Sequence, residues 1–387
     1  MINDYRWMIA SLIIWQLCLN ACSSNQEIER EPFRQHFFSG DVRVWALDSS
    51  PYQDKLEDCV YRNEPDKACS YLTLPPLGQE EVLDRTAIEA RVVASDPWLR
   101  AQFVSFMDRV PESLWPLFAP VTAIVLSRNL SHSFFWALNG VLYLDANLFW
   151  QELEESYQVP VKSRLHNGFA GYSYYLEVVR TPEISGDLPR TEDEIWPNFA
   201  SELFHQLAHA NDFMGTDMSA AYAGITPYQL AVNRMDQRLH DGLGITLNAP
   251  TLTALARNIV YQEYSSLLLG VDVETVESLW QESEATHFLS FLSPEEDFAY
   301  LVQSLILDQY LDVEEQIYLV PKGQELDENG LVGIAWGASR WVRNEDVFRR
   351  AQIALSSILG DDSQGDGIPS QEAEIFSKDT RVPAIRP

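Results

Sequence analysis

Apolar positions change their period several times along the chain, and each change marks an element. Trp7 to Leu19 is an unbroken apolar run behind Arg6. Ser23 to about Asp41 is polar and charged with few apolar anchors. Between Val42 and Pro76, short apolar clusters broken by turn residues predict short strands and turns. The period turns helical at Ser95-Asp96-Pro97, where Pro97 suits the first turn and Trp98, Phe103 and Phe106 share the apolar side. Ala123 to Leu126 reads as a buried strand. Phe134 to Leu138 and Val141 to Leu144 flank Asn139-Gly140, a pair suited to a type I′ hairpin turn because both central residues need φ > 0. These strands are apolar on both faces, so they belong inside the protein under a cover of helices. Tyr172 to Val179 is a further strand.

Beyond it the pattern is mainly helical. Helices are expected over Pro227 to His240, Glu274 to Gln281, Pro294 to Tyr310, and Glu345 to Leu359, the last capped by Asn344 and stopped by Gly360. Strands at Gln316 to Val320 and Leu331 to Trp336 interrupt the run. Together these elements predict an α+β fold, a small antiparallel or mixed sheet packed by helices, with a helical C-terminal half. The chain divides into an amino-terminal signal (1–21), a tether (22–41), a cysteine-bearing segment (42–94), a main body (95–360) and an irregular tail (361–387). No internal repeat is evident.

Composition narrows the partners. The chain of 387 residues carries 57 Asp+Glu against 27 Lys+Arg, a formal charge of −30, with 46% hydrophobic and 12% aromatic residues. That much apolar material excludes a disordered acidic tail for the bulk of it. The negative surface disfavours nucleic acid and anionic headgroups.

The apolar run at the amino end is too short to span a bilayer, which takes about 20 residues. Followed by Leu19-Asn20-Ala21-Cys22, it resembles the lipobox of bacterial lipoproteins. That resemblance implies cleavage before Cys22, lipidation of that cysteine, and outer-membrane sorting compatible with Ser23, the body being periplasmic or surface-exposed. A plain secretory signal or an uncleaved anchor is the alternative. In an oxidising compartment Cys59 and Cys69 would be left as a pair closing a short loop. A disulfide is the economical reading, against two buried free thiols.

The chemistry concentrates in Asn198-Phe-Ala-Ser-Glu202-Leu-Phe-His205-Gln206-Leu-Ala-His209-Ala-Asn-Asp212-Phe213. Two histidines four apart on a helix project from one face and can reach one ion. Asn198, Glu202, His205, His209 and Asp212 fall within an arc roughly 80° wide. Phe199, Leu203, Phe204 and Leu207 fill most of the remainder. A helix apolar nearly all round should be buried, carrying this polar stripe inward, and a metal would satisfy both imidazoles.

His205-Gln206-Leu207-Ala208-His209 resembles the H-E-x-x-H helix of zincin metallopeptidases, and the strand and hairpin upstream fit their core. The resemblance implies zinc held by His205 and His209. It lacks one part: the family's Glu general base is here Gln206, and an amide has no basic site near neutral pH. Glu202, one turn away, is expected on the side of the stripe opposite Gln206, in a supporting role more than as a substitute base. The metzincin variant would need a histidine where Gly215 stands. The gluzincin variant places a third ligand on a later helix, and Ser293-Pro-Glu-Glu296-Asp-Phe-Ala299-Tyr300 resembles its Glu-x-x-Ala motif, making Glu296 the candidate. The same residues form a capping box, so Glu296 reads as ligand or cap. Glu263 is the next candidate. Asp212 and Tyr300 are expected around the ligands, with Tyr300 where the family often places an Asp. The remaining histidines, including His240 and His287, are scattered singly and read as ordinary surface or core residues.

The expectation is a membrane-anchored, metallopeptidase-like lipoprotein that binds zinc. It would take a peptide or protein substrate or ligand, touch the membrane by its lipid only, and hydrolyse weakly or not at all, as a pseudoenzyme would. A non-catalytic binding or scaffolding lipoprotein and an aromatic-rich glycan-binding lipoprotein are the alternatives.

Overall fold

The structure is a computed structural model and describes residues 43–383 apart from position 63 and segments 160–165, 168–171, 180–188, 219–223, 245–246, 323–330, 361–372 and 377–379. Cys22, the signal and the tether lie outside the described residues. From Arg43 onward the chain forms one compact unit.

Its amino-terminal half contains α1 (Gln53–Cys59), α2 (Arg85–Glu89), β1 (Val92–Ala94), α3 (Pro97–Met107), β2 (Ala123–Ser127), β3 (Phe134–Trp136), β4 (Val141–Asp145) and α4 (Leu153–Ser156). Then come β5 (His166–Asn167), β6 (Tyr172–Val179), the long α5 (Glu192–Met214), α6 (Pro227–Asn233), α7 (Pro250–Tyr261), α8 (Val273–Gln281) and α9 (Pro294–Tyr310). The chain closes with β7 (Glu314–Pro321), β8 (Leu331–Gly333), β9 (Trp336–Ser339), α10 (Glu345–Leu359), β10 (Glu374–Phe376) and β11 (Arg381–Pro383).

The fold is α+β. A four-stranded mixed sheet has the order β1-β2-β4-β3, with β1, β2 and β4 parallel and β3 antiparallel on the edge beside β4. Every residue of β2 and β4 is buried, as unbroken apolar runs in a covered sheet require. A second sheet, antiparallel throughout, runs β10-β9-β7-β6-β5, and β11 pairs with β8 as a separate ribbon. Helix α5 packs on α9, and one apolar cluster runs from Leu77 and Val92 through α5 to Leu355 on α10. Among the described residues no helix is long and apolar enough to cross a membrane.

Several local expectations are corrected. The hairpin exists, but Trp136 pairs with Val141, so the connection is the four residues 137–140 instead of a two-residue turn. The Trp136 carbonyl accepts N–H bonds from Asn139 and Gly140, and Gly140 alone has positive φ, at 70°. The Asn139 side chain supports the loop by accepting from the Val141 amide and donating to the Tyr143 hydroxyl. Between Val42 and Pro76 the ordered element is the helix α1, in place of strands, and Trp45 makes only an isolated bridge to Ala94. Helix α6 ends at Asn233, short of His240, which sits on a separate 3-10 turn, Leu239–Leu243. Leu331 to Trp336 is split between two sheets, since β8 joins β11 while β9 joins β7 and β10. The tail contributes β10 and β11 and so is not wholly irregular.

Cys59, the last residue of α1, forms a disulfide with Cys69. It closes a short loop against the main body: Val60, next to it, accepts a hydrogen bond from the Tyr143 hydroxyl on β4. A loop of this length restricts the unfolded chain by about 3 kcal/mol in the chain-entropy account. Replacing both cysteines by serine should therefore lower unfolding free energy by about 2–3 kcal/mol in urea titrations. A loss indistinguishable from zero would show that the loop is not restrained in the folded protein.

Candidate metal centre

Helix α5 begins earlier than the histidine stretch because Thr191 and Glu194 form a capping box. Thr191 Oγ1 accepts from the Glu194 amide, and the Glu194 carboxylate takes the Thr191 N–H. Glu192, Asp193 and Glu194 add negative charge to the first turn, which favours the helix dipole. Gly215, with φ 76°, ends it. The helix is buried on nearly all sides: Phe199, Leu203, Phe204 and Leu207 are fully enclosed, and His205 and Gln206 are buried as well.

His205 and His209 turn their Nε2 atoms toward each other, 3.1 Å apart. Glu296, in the first turn of α9, reaches both, with carboxylate oxygens 3.3 Å from His205 Nε2 and 3.6 Å from His209 Nε2. Donor atoms around a tetrahedral cation with bonds of about 2.0–2.1 Å lie about 3.3 Å apart. The three observed separations bracket that value, so His205, His209 and Glu296 could hold one metal ion. The two readings of Glu296 are reconciled by its two halves. Its backbone N–H is capped by Ser293 Oγ at 3.3 Å, while its carboxylate crosses to the histidines. Glu263 is not part of the group; Arg257 holds it in a bidentate pair at 2.7 and 3.1 Å. Asp58, Cys59 and Cys69 also lie close together, but both sulfurs are committed to the disulfide.

The surrounding residues differ in part from expectation. Tyr300 packs on the His205 ring with centroids 4.4 Å apart, and His287 stacks on Tyr300 at 4.1 Å, nearly parallel. Asp212 hydrogen-bonds neither ligand histidine. Its fully buried carboxylate accepts from the His240 backbone N–H at 2.9 Å and pairs with His240 Nδ1 at 2.8 Å, tying α5 to the 3-10 turn. His287 therefore borders the centre through Tyr300, while His240 serves as a core partner of Asp212. Their spacing in sequence carries no periodic signal, so only the fold could reveal them.

Gln206 is held at both ends of its amide. Its Oε1 accepts the backbone N–H of Phe135 on edge strand β3 at 2.9 Å, and its Nε2 donates to Glu202 Oε1 at 3.0 Å. Glu202 thus lies on the same side of α5 as Gln206, correcting the opposite placement, as residues one turn apart should. An amide offers the donor and the acceptor that this position demands; a carboxylate offers acceptors only.

Electrostatics follow from burial and proximity. Burial, with the neighbouring positive His205, pushes His209 down to about 4 despite the attraction of Glu296. Burial would also lower His205, but hydrogen bonding and charge attraction from Glu296 outweigh it and raise it. Burial opposes the charge on Glu296, yet His209 and His205 hold its carboxyl down at about 2. Glu296 thus favours the protonated form of the His205 ring, and a cation bound here would take the place of that proton.

No protein-family model, no curated protein and no solved structure matches the chain.

The Gln206 clamp has a measurable consequence. Gln206→Glu sets a second carboxylate beside Glu202, and like charges raise carboxyl pKa values in the folded state. Folding then loses stability at neutral pH and recovers it as falling pH protonates the pair. Urea titrations should show a loss of about 1–3 kcal/mol at pH 7.5 that shrinks by pH 4.5. A loss independent of pH would mean that the pairing with Glu202 does not govern this position.

Proposed function

We propose that the chain is a zinc-binding, zincin-like protein of the cell envelope, related in design to metallopeptidases of the gluzincin type, in which hydrolysis is weak or lost. The observation that carries this reading is the convergence of two imidazole nitrogens and a carboxylate on one point, with separations suited to a four-coordinate zinc. Two nitrogens and an oxygen from the protein match the donor set of catalytic zinc sites that keep one position open. The placement of the ligand helix α5 beside edge strand β3, with the third ligand on the neighbouring α9, also supports it. The lipobox-like Cys22 supports anchoring by lipid in the outer membrane, and the pairing of Cys59 with Cys69 suits an oxidising compartment.

Zinc bound at this centre supplies a Lewis acid that polarises a carbonyl and lowers the pKa of water. Peptide hydrolysis further needs a group to take and return a proton, and Gln206 has no basic site. Its amide is instead consumed in joining α5 to β3 and Glu202. The chain is therefore better suited to binding a peptide or protein ligand than to turning it over. The scaffolding alternative is a form of this same reading. The glycan-binding alternative draws little support, because Trp196, Trp280 and Trp336 are fully buried core residues.

Metal analysis of the purified protein should find about one equivalent of zinc, and Glu296→Gln should weaken its retention against chelator by at least about tenfold. Less than about a tenth of an equivalent, with stability indifferent to chelator, would overturn the zinc reading. For catalysis, Gln206→Glu should raise peptidase activity by about 10²-fold or more over wild type, since that is what a general base contributes. Equal and substantial activity in both proteins would show that another group, Glu202 first, serves as base.

A further inference from the structure

Basic residues are scarce here and acids plentiful, 27 Lys+Arg against 57 Asp+Glu, so an arginine without a carboxylate partner is unexpected. Arg85, Arg91, Arg343 and Arg350 each have one. Arg234, the C-cap of α6, and Arg238, four residues on, have none within ion-pair distance among the described residues; each guanidinium makes one bond, to the Gln237 and Ala231 carbonyls respectively, both at 3.3 Å. A guanidinium carries five N–H donors in a fixed fork, so most donors of both groups are uncommitted. Arg234 Nε and Arg238 Nη1 are buried without a partner. Both groups lie against the carboxy-terminal end of α5. The Arg238 guanidinium carbon sits 4.2 Å from the centre of the Phe213 ring, and Arg234 covers Gly215 so closely that any side chain there would collide with its guanidinium. The negative pole of the helix attracts these charges, yet neither described bond goes to an α5 carbonyl. Phe213 stands one turn beyond His209 on the same face, with ring centroids 6.3 Å apart. His209, Phe213 and Arg238 each keep part of their surface exposed. A row of three side chains therefore runs from the metal centre to the arginine pair, over a distance that about two to three extended residues span.

We propose that Arg234 and Arg238 form a carboxylate-binding subsite that fixes a peptide ligand lying across the metal centre. The planar fork of arginine takes both oxygens of a carboxylate through parallel N–H bonds, and a shared anion relieves the repulsion between two neighbouring cations. The acids nearby leave this role open. Asp212 is taken by the backbone and ring of His240. Burial lowers the Arg238 pKa against the charges of Asp212 and Glu295, and the neighbouring Arg234 adds to the fall. Those same carboxylates repel a doubly charged phosphate more strongly than a singly charged carboxylate, which selects the latter. The carboxylate belongs to the end of the peptide or to an acidic side chain within it, since both present the same two oxygens.

The inference rests on the reading of the His205, His209 and Glu296 centre as a peptide-binding site, and its test separates the two. Binding of three peptides to the full chain supplied with zinc is measured by titration calorimetry: acetyl-trialanine with a free carboxylate, the same peptide as its amide, and acetyl-Ala-Asp-Ala-amide. The free acid or the Asp peptide should bind at least about tenfold more tightly than the trialanine amide, the first marking a chain-end carboxylate and the second a side-chain one. Arg234→Gln combined with Arg238→Gln should erase that preference, while Arg238→Lys, which keeps the charge but loses the fork, should keep only part of it. Zinc uptake of each variant is read in parallel and shows whether its metal centre is still assembled. Equal binding of all three peptides by the wild type, a comparison that needs no variant to fold, overturns the subsite alone. A preference that survives in a zinc-loaded double variant does the same. Zinc uptake without binding of any peptide overturns the peptide reading of the centre and the subsite with it. A carboxylate preference in a wild type that takes up no zinc supports the subsite and overturns the metal reading.

Discussion

Burial of helix α5 obliges each of its polar side chains to find a partner on another element, since water cannot serve them and an unpaired polar group inside a protein costs several kcal/mol at most and about 1–3 in typical cases. The partners are what join the protein together around the site. Asn211 donates to the Leu117 carbonyl at 2.7 Å, Asp212 binds His240, Gln206 holds the β3 backbone, and Ser201 meets Gln303. Asn211, though its amide nitrogen is paired, leaves its Oδ1 without a partner, and His205 and His209 differ in having both rings aimed at one carboxylate. Their Nδ1 atoms are buried without partners, and their Nε2 atoms face each other and Glu296. Two imidazoles and a carboxylate aimed at one point form a group that could hold a metal ion.

The energetics of the cluster point the same way. Glu296 is drawn down to about 2 by the histidines, and His209 is pressed down to about 4 by burial and by His205. Glu296 thus stays ionised and His209 stays neutral over the physiological range, which are the states in which each donates a lone pair to a cation. On the stability side the Glu296 contribution is present above the usual carboxylate pKa and is lost as pH falls through about 2. His205 works in the opposite direction: its raised pKa adds stability below the ordinary histidine value, lost as pH rises through the raised one. Metal and proton compete for the same ring.

Parts of this were legible in the sequence because they are local. The four-residue spacing of His205 and His209, the buried character of their helix, and the existence of strands β6 and β7 all follow from period and composition. Glu296 was accessible only through its resemblance to a motif, since its cap geometry and its ligand geometry use the same residue and differ only in which half is considered. The rest depended on tertiary contacts. The partner of Gln206 is a backbone N–H on β3, the partner of Asp212 is a histidine beyond α6, and Gln303 joins Ser201 to Glu315 only because β7 runs beside α9. None of these contacts leaves a trace in residue spacing. The hairpin shows the same limit in miniature: Asn139-Gly140 marked a turn, but the pairing of Trp136 with Val141 lengthened the loop to four residues and left positive φ to Gly140 alone.

The most direct test of the central claim is anomalous diffraction at the zinc absorption edge from crystals of the purified protein. The account predicts one strong peak about 2.0–2.2 Å from His205 Nε2, His209 Nε2 and a Glu296 oxygen. Crystals supplied with zinc that show no peak there, or show zinc only at surface carboxylates, would contradict it.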